Sequence, residues 1–133
     1  MMVYLDTNIV IYFVEQTPSW LSKVVARFAR FRAASDRLVI GDLTWAECLV
    51  GPFLSGDAVV EASYRTFFTD PDIQVLPLTT AICERAARIR ATHKFELVDS
   101  LHLATAVEHG CSLFLTNDAQ LKRCTAISVE VLT

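Results

Sequence analysis

Short apolar runs alternating with helical stretches constrain this chain more than any other feature. Val3-Tyr4-Leu5, Leu38-Val39-Ile40, residues 73–76 and Ser112-Leu113-Phe114-Leu115 have the length and apolar character of buried strands, and residues 127–132 supply a fifth candidate. Helical signals fill the gaps. A first helix is expected over 9–14, behind the cap-forming cluster Asp6-Thr7-Asn8. Pro18-Ser19 opens a second, with Trp20, Leu21, Val24, Val25, Phe28 and Phe31 on one broad apolar face, Lys23 and Arg30 opposite, and Arg27 at the flank. Helices over 44–54 and 57–68 are expected around a kink or break at Gly51-Pro52. Thr79 or Thr80 caps a helix reaching about residue 93, with Ile82, Ala86 and Ile89 inward. An Ala/Leu-rich helix over 99–109 is stopped by Gly110, and a short helix follows over 117–123. Strands joined by helices imply βαβ units, hence a three-layer α/β fold with a parallel sheet of about five strands covered on both faces.

The chain has 133 residues, the size of one domain, and residues 1–133 are read as one unit without repeats or linkers. Hydrophobic residues reach 53% and charged residues only 20%, so the chain has either a thick buried sheet or an apolar surface awaiting a partner. The longest charge-free stretch, 73–83, is far short of the ~20 apolar residues of a membrane span. Residues 1–4 carry no basic segment ahead of a long apolar run, so no secretory signal is expected, and a soluble, cytoplasmic protein is. Cys48, Cys83, Cys111 and Cys124 are widely spaced, without a Cys-x-x-Cys pair or a matching histidine pair, which argues against zinc and for reduced structural thiols. A net charge of −3 argues against simple electrostatic coating of nucleic acid. It leaves room for a nuclease, because carboxylates filled by divalent cations create their own local positive field.

In open parallel sheets, ligands bind outside the carboxyl ends of the strands. Asp6 follows the first strand, and Asp118 follows the fourth within Thr116-Asn117-Asp118. Glu47 lies one turn into a helix and Asp99 begins another. Each has a plainer role open to it: Asp6 as an N-cap, Glu47 in a capping box with Thr44, Asp99 as a first-turn acid, Asp118 as a turn residue. Two strand-end acids together with two helix-start acids point further. Crowded carboxylates repel unless a cation lies among them, and Mg²⁺ or Mn²⁺ favours oxygen ligands. The matching chemistry is phosphodiester hydrolysis by a metal-activated water.

At these residues the chain resembles the PIN-domain family. The quoted elements are Tyr4-Leu5-Asp6-Thr7-Asn8-Ile9, Thr44-Trp45-Ala46-Glu47, Asp99-Ser100-Leu101-His102-Leu103-Ala104-Thr105-Ala106 and Leu115-Thr116-Asn117-Asp118, in family order across nearly the whole chain. The length is similar to that of VapC toxins of type II toxin–antitoxin systems. The resemblance implies a Mg²⁺- or Mn²⁺-dependent endoribonuclease, an RNA substrate, a neutralising antitoxin, a homodimer and a five-stranded parallel sheet. It also implies Asp6, Glu47, Asp99 and Asp118 as the acidic site, with Thr7, Asn8 and Thr116 in support. Asp6 and Asp99 are expected as direct metal ligands, and Glu47 and Asp118 as ligands directly or through water.

Three other readings stay open. A haloacid-dehalogenase-like phosphatase needs a second Asp where Asn8 stands. A phospho-receiver domain needs an acidic pair after the first strand and a late strand-end Lys, and Lys122 falls too far along. A catalytically silent PIN-fold binding protein would act through its partner. Lys23, Arg27 and Arg30 are candidates for RNA phosphates, against the plainer reading of a solvated helix face. Arg85, Arg88, His93 and Lys94 invite the same comparison. His102 is expected to be packed or on the helix surface. Most of Trp20, Trp45, Phe53, Phe67 and Phe68 are expected in the core, with partner contacts among them.

Overall fold

A computed structural model describes residues 1–133. Five strands, β1 (Met2–Leu5), β2 (Arg37–Gly41), β3 (Ile73–Leu76), β4 (Leu113–Thr116) and β5 (Ser128–Val131), form one sheet in the order β3-β2-β1-β4-β5. Every pairing is parallel, with Tyr4 opposite Val39 on one side and Phe114 on the other. Six helices surround it: α1 (Thr7–Val14), α2 (Leu21–Ala33), α3 (Asp42–Ser55), α4 (Ala58–Phe68), α5 (Thr80–His93) and α6 (Leu97–Glu108). A short 3₁₀ turn, Ala119–Arg123, follows β4.

The two-residue period of a strand divides the core. Val3, Leu5, Leu38, Ile40, Ile73 and Leu115 face a layer built from α1 to α4, where Ile9, Val24, Phe28, Phe31, Tyr64 and Phe68 are buried. Tyr4, Val39, Leu76 and Phe114 face α5 and α6, against Ile82, Ala86, Leu103 and Ala106. The expected three-layer architecture is therefore present. Because both faces are covered, the central strands read as continuous apolar runs.

Chain order reverses around β1, which lies between β2 and β4. The ends of β1 and β4 thus flank a topological switch point, where open sheets form a crevice. A receiver domain would have the order 2-1-3-4-5, so that alternative falls with the topology.

Local differences have physical causes. Helix α3 begins at Asp42 and runs through Pro52 to a left-handed Gly56 (φ 71°), so Gly51-Pro52 does not separate two helices. Thr44 lies inside that helix and does not cap it; the N-cap is Gly41, without a side-chain cap bond. Helix α6 begins two residues before Asp99, behind Glu96. Thr79, rather than Thr80, caps α5 through the Ile82 amide. Val25, expected inward, is exposed, as is Phe53. Arg27 leaves the proposed basic face to form a two-bond ion pair with Glu130 while stacking over Phe31. All four cysteines are free thiols. No helix is long and apolar enough to cross a membrane.

Candidate active site

Asp6 is fixed by the junction of β1 and α1. Its backbone is extended, its amide bonds Leu115 on β4, and its Oδ1 accepts from the Thr7 amide at 2.8 Å. The N-cap role is therefore real, and it points the carboxyl into the crevice between β1 and β4. There Oδ2 accepts from Thr116 Oγ1 at 2.7 Å, with Asn8 Nδ2 at 3.5 Å. Burial pushes this carboxyl above its ordinary pKa, against the pull of His102, Thr116 and the Thr7 amide. A charge on Asp6 is thus costly to bury and is met by three donor groups.

Thr116 ties the second acidic strand end to the first. Its hydroxyl also receives the Asp118 amide at 3.0 Å, and Asn8 Oδ1 accepts from the Asn117 amide at 3.2 Å. Thr116 and Asn8 thereby hold the 116–118 turn against the start of α1. Asp118 Oδ1 caps the 3₁₀ turn through the Gln120 amide. As with Asp6, the plain capping role coexists with a position at the sheet rim.

Asp99 differs from its neighbours. It sits in the first turn of α6, half-buried, and its carboxyl receives no hydrogen bond from the protein. Burial, then the nearby charges of Asp6 and Asp118, push it up to about 6. That mutual influence puts Asp6, Asp99 and Asp118 in one neighbourhood although they come from β1, α6 and the turn after β4.

Glu47 reaches the same neighbourhood from α3. Its Oε1 accepts from Thr7 Oγ1 at 2.7 Å and lies 2.5 Å from His102 Nε2, so it takes no part in a Thr44 capping box. Burial would raise this carboxyl, but the bonds from His102 and Thr7 outweigh it and hold Glu47 below its ordinary value. Asp6 and Glu47 are joined through one residue, because the Thr7 amide serves the first and the Thr7 hydroxyl the second.

The four acids and the supporting Thr7, Asn8 and Thr116 are therefore brought to one rim of the sheet. The side chain that sequence reasoning underrated is His102. It is 1% exposed, as a packed residue should be, yet it contacts Glu47, Thr7 and Tyr4 through both ring nitrogens. Its signal was the three-residue spacing from Asp99, which puts both on one helical face.

An all-oxygen donor set with an unpartnered, half-buried Asp99 suits a hard divalent cation. No three acidic, imidazole or thiol groups are drawn close enough to enclose an ion as they stand. The donor chemistry fits, with the carboxylates spread around the crevice rather than closed on one point.

The PIN domain family model matches residues 3–126. The chain belongs to the PIN-domain family. Its membership removes the haloacid-dehalogenase-like alternative. No match was found among curated proteins by sequence. Among solved structures, this PIN domain is similar to VapBC2 from Rickettsia felis, bound to a DNA fragment from its promoter, with a TM-score of 0.84, 16% identity and 100% of each chain covered. It is also similar to DNA-bound VapBC from Salmonella typhimurium (TM-score 0.75, 20% identity, 100% of this chain and 99% of that one). The sarcin-ricin-loop-cleaving toxin VapC20 from Mycobacterium tuberculosis shares the fold with a TM-score of 0.66 and 14% identity, over 84% of this chain and 86% of that one. These identities establish the shared fold.

Proposed function

We propose that this PIN domain, acting as one unit over residues 1–133, is a Mg²⁺- or Mn²⁺-dependent endoribonuclease toxin neutralised by a cognate antitoxin. The observation that carries the reading is the convergence of four carboxylates: Thr7 and Thr116 tie Asp6 to Glu47 and to the Asp118 turn, and Asp99, raised by burial and then by Asp6 and Asp118, has no protein donor. Carboxylates crowded this way repel unless a cation lies among them, which marks the crevice as a functional site. The neighbours solved as toxin–antitoxin complexes and the RNA-cleaving relative support the biological class.

In this reading Asp6 and Asp99 ligate the cation, while Glu47 and Asp118 act directly or through water. When bound, the cation supplies an acidified water and charge neutralisation at the phosphoryl oxygens. Thr116, the Thr7 amide and Asn8 keep the Asp6 carboxyl in one orientation. Glu47, held below its ordinary value, stays ionised at neutral pH and is suited to hold the cation or orient the attacking water by accepting its hydrogen bond. Homodimerisation and a cytoplasmic site of action belong to the same proposal. Exposed Val50, Phe53, Leu54 and Val59 offer apolar surface for a subunit contact. An open groove lined by Phe13, Val14, Leu21, Val25 and Phe67 offers a seat for an antitoxin segment.

The test is cleavage of a labelled RNA pool by purified protein with Mg²⁺ or Mn²⁺, against EDTA and Asp6→Asn. Metal-dependent cleavage that the variant lacks is expected. Cleavage unaffected by EDTA or by the substitution would reject the site, and a folded protein that binds RNA without cutting it would favour the silent binding protein.

A further inference from the structure

Behind Glu47 lies a buried polar chain that the cleavage reading does not use. Tyr4, fully buried in the middle of the central strand, places its hydroxyl 2.6 Å from His102 Nδ1. The opposite ring nitrogen, Nε2, lies 2.5 Å from Glu47 Oε1 and 3.2 Å from Thr7 Oγ1. A carboxylate only accepts hydrogen bonds, so Nε2 carries a hydrogen; with that single ring proton, Nδ1 is the acceptor for the Tyr4 phenol.

The surroundings make room for this arrangement. Gly41, at the end of β2, has no side chain; a Cβ there would stand 2.6 Å from the Tyr4 hydroxyl oxygen. Thr44 brings a fully buried hydroxyl toward Tyr4 that finds no hydrogen-bond partner of its own. Apolar residues at positions 4 and 102 would fill this space without any buried polar atoms. Keeping a buried phenol and imidazole in line therefore calls for a reason beyond packing.

Glu47 supplies one. Its side chain is 38% exposed and, unrestrained, would sample several rotamers. Both of its protein hydrogen bonds fall on Oε1, and Oε2 has none. We infer that His102, anchored by Tyr4, is a positioning residue that fixes Glu47 through Oε1 and reserves Oε2 for the water or cation of the cleavage reaction. This rests on the nuclease reading. Its logic is that of outer partners that orient ligating groups, whose loss costs about 10–100-fold in metal affinity or activity.

The decisive variants are His102→Leu, which keeps the packing volume and loses the donor, and His102→Gln, whose amide nitrogen can reach Oε1. With Mn²⁺ and labelled RNA, His102→Leu should lower kcat by about 10-fold or more with little change in KM, and should weaken Mn²⁺ binding in calorimetry with no RNA present. His102→Gln should recover most of both. In a Glu47→Ala background, His102→Leu should add no further loss. Equal behaviour of folded Leu and Gln variants, or an additive double variant, would overturn the inference.

If His102→Leu does not fold, Tyr4→Phe removes only the hydroxyl and should give a smaller loss in the same direction; no loss would count against the relay. The wild-type chain has three histidines, so ¹⁵N NMR can assign His102. A proton on Nε2 whose resonance moves on Glu47→Gln is expected, and a proton on Nδ1 alone would contradict the proposal. Should the wild type cut no RNA with either metal, the functional reading fails, while the NMR result still decides whether His102 holds Glu47.

Discussion

Replacing Asp99 by Asn removes one charge from the crevice and almost no volume, and it should make the metal-free protein more stable. The folded-state value of about 6 lies roughly two units above the ordinary 3.8. An unscreened shift of that size corresponds to ~3 kcal/mol. Asp99 is only half-buried, and solvent screening reduces the gain to about 1 kcal/mol. The first turn of α6 by itself favours a negative charge by ~0.3–1 kcal/mol, so burial and the charges of Asp6 and Asp118 outweigh the helix. Because the folded value lies above the unfolded one, the native state binds more protons between about pH 4 and 6, and wild-type stability falls as pH rises through that window. Urea melts at pH 7.5 should therefore favour Asp99→Asn by about 1 kcal/mol, a rise of roughly 3–5 °C in Tm. Near pH 4 most of the difference should be gone, since the native Asp99 is then protonated and the unfolded one is about half protonated. Saturating Mn²⁺ should reverse the order, stabilising the wild type and not the variant. No gain at pH 7.5, or a gain of the same size at pH 4, would refute the reasoning.

Metal binding should release protons at slightly acidic pH. At pH 6 about half of Asp99 is protonated, so calorimetry in buffers of different ionisation enthalpy should show ~0.5 proton released per ion from this group, falling toward zero at pH 8. Thr116→Val deletes the hydroxyl that serves both Asp6 Oδ2 and the Asp118 amide; a stability loss of about 1–3 kcal/mol in denaturant melts and a loss of Mn²⁺ affinity are expected. Gly41→Ala forces a Cβ against the Tyr4 hydroxyl and should cost about 1–3 kcal/mol, measured the same way. Arg27→Ala breaks a partly exposed pair with Glu130 and should cost only about 1 kcal/mol.

The sheet was legible because its strands are buried on both faces and their apolar runs are bounded by helix caps. Residues 73–76 and the inward Ile82, Ala86 and Ile89 lie where the pattern puts them. The acids were legible through their place at strand ends and helix starts, which topology turns into one rim. What could not be read was which partner wins. Thr44-Trp45-Ala46-Glu47 satisfies a capping box locally, but Gly41 starts the helix earlier, and Thr7 and His102 claim the carboxylate. The relation of Tyr4 to His102 spans 98 positions and depends on β1 lying beneath α6, so no local pattern announces it. Val25 and Phe53 show the same limit from the apolar side: helical periodicity marks a face without saying how much of it the neighbours cover.

Crystals grown with Mn²⁺ and measured for manganese anomalous scattering address the shared cation site most directly. A peak bonded to the carboxylates of Asp6 and Asp99, within reach of Glu47 and Asp118, is the expected result. Manganese bound elsewhere with that crevice bare at saturating concentration would contradict it.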